Sequence, residues 1–285
     1  MKNTAQHQPS QKPFLRKTVT WCTAHPMVAV VLYITVVSGF FLIFPAVDLW
    51  ASSFFYFDGS GFAAQNMPFL QKVRHLGPFL VKSIALACVA ILLLKLLLPG
   101  LPPILPLRQP LFLLSTLILG PGIVVNAILK DNWGRPRPRS VEEFGGDLPF
   151  QPVWKITDHC DRNCSFVSGE ASAGMWLIAV VFLVPQTWRK AVLAFVLPLC
   201  LILSVNRVAF GGHFLSDTLI SWGVTLLVIL AVYHLLFKRV PPLVTDQRLD
   251  QWFTVNGRRL YALVQAIGAG MKRGHRRIVQ VFSAH

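Results

Sequence analysis

Six runs of roughly twenty mostly apolar residues constrain this chain more than any other feature. They lie at about 27–47, 79–99, 110–129, 168–185, 191–210 and 216–237. A bilayer core about 30 Å thick needs roughly 20 such residues per helical crossing. The reading is therefore an all-α, polytopic membrane protein with six transmembrane helices. Apolar residues make up 54% of the 285 and charged residues 14%, with a mean hydropathy of +0.55, which excludes an ordinary soluble enzyme. Lys12, Arg16 and Lys17 precede the first run as in a secretory leader. That run is too long for a leader's apolar core, and no small-residue cleavage site follows it closely, so it is expected to be retained.

Charge sets the orientation, because Lys and Arg beside short loops stay in the cytoplasm. Six spans put both termini on one side. The segments on that side hold 16 Lys and Arg against two acids, whereas loops 48–78 and 130–165 hold eight of each. Both termini are expected in the cytoplasm. Three regions follow: a tail over 1–26, a membrane domain over 27–237 and a basic tail over 238–285. The formal net charge of +15 then reflects topology, and no nucleic-acid-binding motif accompanies it.

Cys88 and Cys200 fall in apolar runs and read as small packing residues. Cys160 and Cys164, in HCDRNCS, fall in an outward loop where an oxidising compartment permits a bridge. Free thiols and a metal pair are the alternatives, though only His159 stands near enough to help a metal. Loop 48–78, with LWASSFFYF, suits the outer interface, and the Pro-rich LPGLPPILPLRQP separates the second and third spans. Lys82 and Lys95, near opposite ends of the second span, are expected to snorkel. In the C-terminal tail Trp252, Phe253, Leu260, Leu263 and Val264 stand among Arg248, Arg258, Arg259, Lys272 and Arg276. That pattern fits either a basic amphipathic helix on anionic lipid or a disordered tail.

Three polar clusters meet the outward face. KDNWGRPRPRS closes the third span with Lys130, Arg135, Arg137 and Arg139, and its prolines keep it extended. Ser168-Gly169-Glu170 opens the fourth span. NRVAFGGHFLSD, with Arg207, His213 and Asp217, joins the fifth span to the sixth. Singly these read as lipid-headgroup anchors, a solvated loop and a helix cap. Together they read as a cationic cradle. His213 and Asp217 are four apart, so on a helix they share a face, and the carboxylate would fix the imidazole tautomer and leave the other nitrogen as a nucleophile. A helix N-terminus at Ser168 and Gly169 offers N–H groups to an anion, and Lys130, Arg137 and Arg207 add charge. A phosphoryl group suits such a cradle, since its transfer demands positioning and charge neutralisation above all.

The spacing of Lys130, Arg137-Pro138, Ser168-Gly169, Arg207, His213 and Asp217 resembles the three-part signature of the type 2 phosphatidic acid phosphatase superfamily, over about 110–237. The resemblance implies a six-helix membrane fold and a phosphatase that needs no metal or other cofactor and works through a phospho-histidine. It assigns attack on phosphorus to His213 and orientation of that ring to Asp217. Phosphate binding falls to Lys130, Arg137, Ser168, Gly169 and Arg207. Three positions depart from the family pattern: Val167 replaces Pro, Asn206 replaces Ser, and Glu170 stands where a His usually protonates the leaving group. Glu170 either takes over as general acid, or is dispensable because the leaving group is itself a phosphate, or is structural and paired with an Arg.

The expected partners are the bilayer and a lipid phosphate handled at the periplasmic face of a bacterial inner membrane. Lipid A 1- or 4'-phosphate is the first choice, with undecaprenyl diphosphate and phosphatidylglycerol phosphate as alternatives. A lipid phosphotransferase and a non-catalytic anion or lipid transporter are the rival functions.

Overall fold

The computed structural model describes the backbone of residues 12–282 and the side chains of residues 17–272; the side chain of Arg276 and the first eleven residues of the N-terminal tail lie outside them. Among the described residues nine helical elements dominate: α1 Lys12–Ala24, α2 Pro26–Ile43, α3 Ala46–Ser53, α4 Pro68–Leu97, α5 Arg108–Lys130, α6 Gly169–Leu183, α7 Gln186–Ala209, α8 Leu215–Lys238 and α9 Asp246–Phe282. A two-residue hairpin, β1 Tyr56–Phe57 with β2 Gly61–Phe62, follows α3. Among the described residues five helices, α2, α4, α5, α7 and α8, are long and apolar enough to cross a membrane.

The fourth expected span is shorter than its apolar run implied. At 1.5 Å per residue α6 rises only about 22 Å, because Ser168 caps it at one end and Pro185 stops the chain from continuing at the other. Its backbone loosens into a turn at Leu177 and Ile178. The second span departs in the other direction. Loop 48–78 was expected to reach Pro78, yet α4 begins at Pro68 and carries Pro78 within it. A proline costs a helix one N–H bond, and a long apolar helix absorbs that loss.

The core lies between α5, α6, α7 and α8. Trp176 of α6 is fully buried, and its Nε1 donates to Leu113 O at 3.2 Å and Thr116 Oγ1 at 3.0 Å on α5. A ladder of hydroxyls ties α6 to α8. Ser221 Oγ donates to Ser168 O at 2.7 Å, Thr225 Oγ1 donates to Ser221 O at 2.8 Å, and Thr225 Oγ1 lies 2.6 Å from Ser172 Oγ. Small hydroxyl residues let two helices approach closely where water cannot compete for their hydrogen bonds. Cys88 and Cys200 are buried in this core. Outward faces keep large apolar side chains such as Val36, Ile43, Leu86 and Phe195, as lipid contact requires.

The basic tail is helical, and its first turns dock on the end of the bundle formed by the close of α4 and the start of α5. Arg108 Nη2 lies 2.6 Å from Asp246 Oδ2, and Lys95 Nζ lies 2.7 Å from Asp250 Oδ1. Lys95 does not snorkel: it is 5% exposed and also donates to Leu101 O at 2.8 Å. Beyond the dock, Trp252, Leu260, Leu263 and Val264 are exposed on α9, as an amphipathic surface helix requires.

Candidate functional site

The opposite end of the bundle gathers the close of α5, the loop after it, the start of α6, the close of α7 and the start of α8. Ser168 is the N-cap of α6, and its Oγ accepts the Ala171 N–H at 3.2 Å. A Cβ at Gly169 would lie 2.6 Å from Asn126 Oδ1 on α5, so a larger residue there would have to displace that amide. Asn126 is held in turn by donating to Pro121 O at 2.6 Å.

His213 is 1% exposed, and its Nδ1 lies 2.7 Å from Ser165 O. A carbonyl can only accept, so Nδ1 carries the hydrogen and Nε2 keeps its lone pair. Burial, reinforced by the positive charges of Arg207, Lys130 and Arg137, pushes the imidazole pKa well below its usual range, with the Ser165 hydrogen bond opposing. The ring is therefore neutral at pH 7, as a nucleophile must be.

Asp217 does not bond the ring directly. His213 precedes α8, whose N-cap is Phe214, so the spacing of four does not place the two side chains on one helical face. Asp217 Oδ2 instead turns back to accept the Phe214 N–H at 2.9 Å and the Ser165 hydroxyl at 2.6 Å. Its Oδ1 accepts from Arg135 Nη1 at 2.5 Å. The carboxylate thus reaches the imidazole through Ser165, whose carbonyl fixes the tautomer expected of Asp217.

Arg135 also turns away from the cradle. It is fully buried, donates to Asp48 Oδ2 at 2.9 Å and Gln151 O at 2.9 Å, and lies 4.4 Å over the Phe214 ring. Asp48, on α3, accepts from Ser216 N at 2.8 Å and Ser216 Oγ at 2.5 Å. Arg137 stays at the mouth, its Nη2 donating to Asn163 O at 2.6 Å within the loop that the Cys160–Cys164 disulfide closes. Arg139 is exposed.

Arg207 is 2% exposed, yet its Nε and Nη1 have no aligned hydrogen-bond partner among the described residues. A buried, unsatisfied guanidinium is costly, and an incoming anion would satisfy it. Glu170 Oε2 lies 3.1 Å from that Nε as an ion pair lacking hydrogen-bond alignment, and Glu170 Oε1 lies 3.7 Å from Arg74 Nε on α4. Gly212 is set by the same guanidinium, since a Cβ there would stand 2.5 Å from Arg207 Nη2.

Sequence reasoning missed Asp48, Arg74, Asn126, Ser165 and the inward turn of Arg135. Asp48 had a signal: between Lys17 and Asp58 the chain carries no other Asp, Glu, Lys or Arg, and a lone ionisable residue beside a membrane span demands a partner.

Comparison with known proteins bears on the segment that carries these residues. Residues 109–241 match the family model of the PAP2 superfamily. A lipid A 4'-phosphatase of Francisella tularensis subsp. novicida (strain U112) is 35% identical over 204 residues, covering 70% of this chain and 90% of that protein. One of Rhizobium leguminosarum is 41% identical over 122 residues, 43% of this chain and 52% of that protein. The crystal structure of a transmembrane PAP2 type phosphatidylglycerolphosphate phosphatase from Bacillus subtilis aligns at a TM-score of 0.49 and 17% identity, over 76% of this chain and 98% of that one. The matched segment contains Lys130, Arg137, Ser168, Arg207, His213 and Asp217, and the chain belongs to the PAP2 superfamily as a membrane lipid phosphatase that hydrolyses a phosphate monoester.

Proposed function

We propose that this enzyme removes the 4'-phosphate of a lipid A-type glycolipid at the periplasmic face of a bacterial inner membrane, with His213 as nucleophile. The observation that carries the reading is a neutral, buried imidazole beside Arg207, whose Nε and Nη1 lack aligned partners. The named activity of the Francisella and Rhizobium relatives supports the choice of substrate. The excess of Lys and Arg on the side of the termini supports the orientation.

In this mechanism the phosphate takes Arg207 from Glu170 and is held by Lys130, Arg137 and the first N–H groups of α6 at Ser168 and Gly169. The lone pair of His213 Nε2 forms the N–P bond as the bond from phosphorus to the lipid oxygen breaks. Glu170, released from Arg207 and having taken up a proton, gives that proton to the leaving oxygen. Water then loses a proton to Glu170 and attacks phosphorus, the N–P bond breaks, and the imidazole is regenerated. Ser165 O holds Nδ1–H throughout, and no step calls on a metal.

The test is phosphate release by the purified protein in detergent from lipid A bearing both phosphates, with the product located by mass. Loss at the 4' position, unaffected by chelator and abolished in His213→Gln, is the expected result. Chelator-sensitive release would overturn the metal-free chemistry, and a newly phosphorylated lipid in place of free phosphate would make the enzyme a transferase.

A further inference from the structure

Arg135 creates an electrostatic difficulty for the chemistry just described. As the Nε2–P bond forms, the ring of His213 becomes positively charged, a form that the charges of Arg207, Lys130 and Arg137 disfavour. The carboxylate available through Ser165 is Asp217, yet Arg135 pairs with Asp217 at 2.5 Å and would cancel it. The structure supplies a second carboxylate. Asp48 binds the same guanidinium at 2.9 Å and is 1% exposed, so water does not screen it.

We propose that Asp48 is a positioning and charge-setting residue for phosphoryl transfer, leaving the buried Asp48–Arg135–Asp217 cluster with a net charge of −1 behind Ser165 and the reacting imidazole. The cluster has two effects. Ser165 is fixed from both sides, its N–H donating to Arg135 O at 2.9 Å and its hydroxyl to Asp217 at 2.6 Å, so its carbonyl meets Nδ1 without reorganising. The uncancelled negative charge also stabilises the ring as it becomes cationic. Asp48 touches neither substrate nor His213 and acts through Arg135 and Ser216. It stands 165 residues upstream of His213, which is why motif spacing does not reveal it.

The inference rests on His213 as nucleophile, so the test pairs variants. Asp48→Asn should lower kcat by about tenfold or more while KM stays within about twofold, since a unit charge is lost from a low-dielectric site behind the ring. Asp48→Asn combined with Arg135→Gln removes one charge of each sign and leaves Asp217 unpaired at −1. The cluster charge stays at −1, and Asp217 keeps its hydrogen bonds from the Ser165 hydroxyl and the Phe214 N–H. The double variant should therefore recover most of the lost kcat. A role limited to packing gives the opposite result, with the double variant no better than the single one, and that outcome, or full activity in Asp48→Asn, overturns the proposal. If Asp48→Asn does not fold, the double variant decides alone: activity within about tenfold of the parent supports the charge account, and a folded but inactive protein sinks it. Activity in His213→Gln would instead remove the nucleophile reading beneath both.

Discussion

Replacing Glu170 by Gln separates two consequences of one side chain. Its carboxylate lies 3.1 Å from Arg207 Nε, where a phosphate oxygen would bind. At an effective dielectric of 20, a unit-charge pair at that distance is worth about 5 kcal/mol. The carboxylate side chain is 29% exposed, and desolvation and solvent screening reduce the net attraction to about 1–2 kcal/mol. Removing this competitor should tighten competitive inhibition by inorganic phosphate about 5- to 30-fold. The acid role predicts the opposite change in turnover: kcat on the lipid phosphate, with its poor alkoxide leaving group, should fall about 10²–10⁴-fold. An aryl phosphate needs little leaving-group protonation and should lose less than about tenfold. Phosphate release from both substrates in detergent, with inhibition measured alongside, makes the comparison. Equal losses on the two substrates would refute the acid role, and unchanged inhibition would refute the competition for Arg207.

The acid limb of kcat/KM that reports His213 protonation should fall below the ordinary histidine range near 6.5, because burial and three cations disfavour the charged ring. Activity should therefore persist as pH drops through 6.5, after correction for ionisation of the substrate; a limb at or above that value contradicts the site. Gly169→Ala should lose most activity by forcing its Cβ against Asn126, and Asn126→Ser should restore part of it; phosphate release by the single and double variants checks the collision directly. Asp250→Asn leaves Lys95 buried without its carboxylate and should cost about 1–2 kcal/mol in thermal unfolding, moderated by the bond to Leu101 O and by the 41% exposure of the aspartate. Phosphatase activity at 25 °C should be unchanged, because that contact lies at the far end of the bundle.

Much of the membrane architecture was legible because apolar length is a one-dimensional property. The runs that became α2, α5, α7 and α8 were placed within a few residues of their observed ends. The two misjudged spans reflect physics that length does not carry. Pro78 reads as a boundary, but a helix can continue through it, and the run at 168–185 ends early because Ser168 and Pro185 bracket it. At the site, the sequence indicated which cations and which imidazole to consider together, and the positive charges of Arg207, Lys130 and Arg137 lower the pKa of His213. Which carboxylate serves which base was not legible. A four-residue interval has meaning only inside a helix, and α8 begins after His213. Arg135 and Arg137 are likewise indistinguishable in an extended Pro–Arg run, and only the full burial of one and the half-burial of the other assigns one to the scaffold and one to the mouth.

The two ion pairs that anchor α9 leave the rest of that helix with a single sign of charge. Asp246 and Asp250 occupy Arg108 and Lys95, and after Asp250 the sequence has no further carboxylate side chain. Arg258, Arg259 and Lys272 therefore find no acidic side chain farther along the helix. Anionic lipid headgroups would neutralise such a helix if it lay on a bilayer. The proximal end of α9 is thus fixed by the protein, whereas the lie of its distal part should vary with leaflet composition and ionic strength.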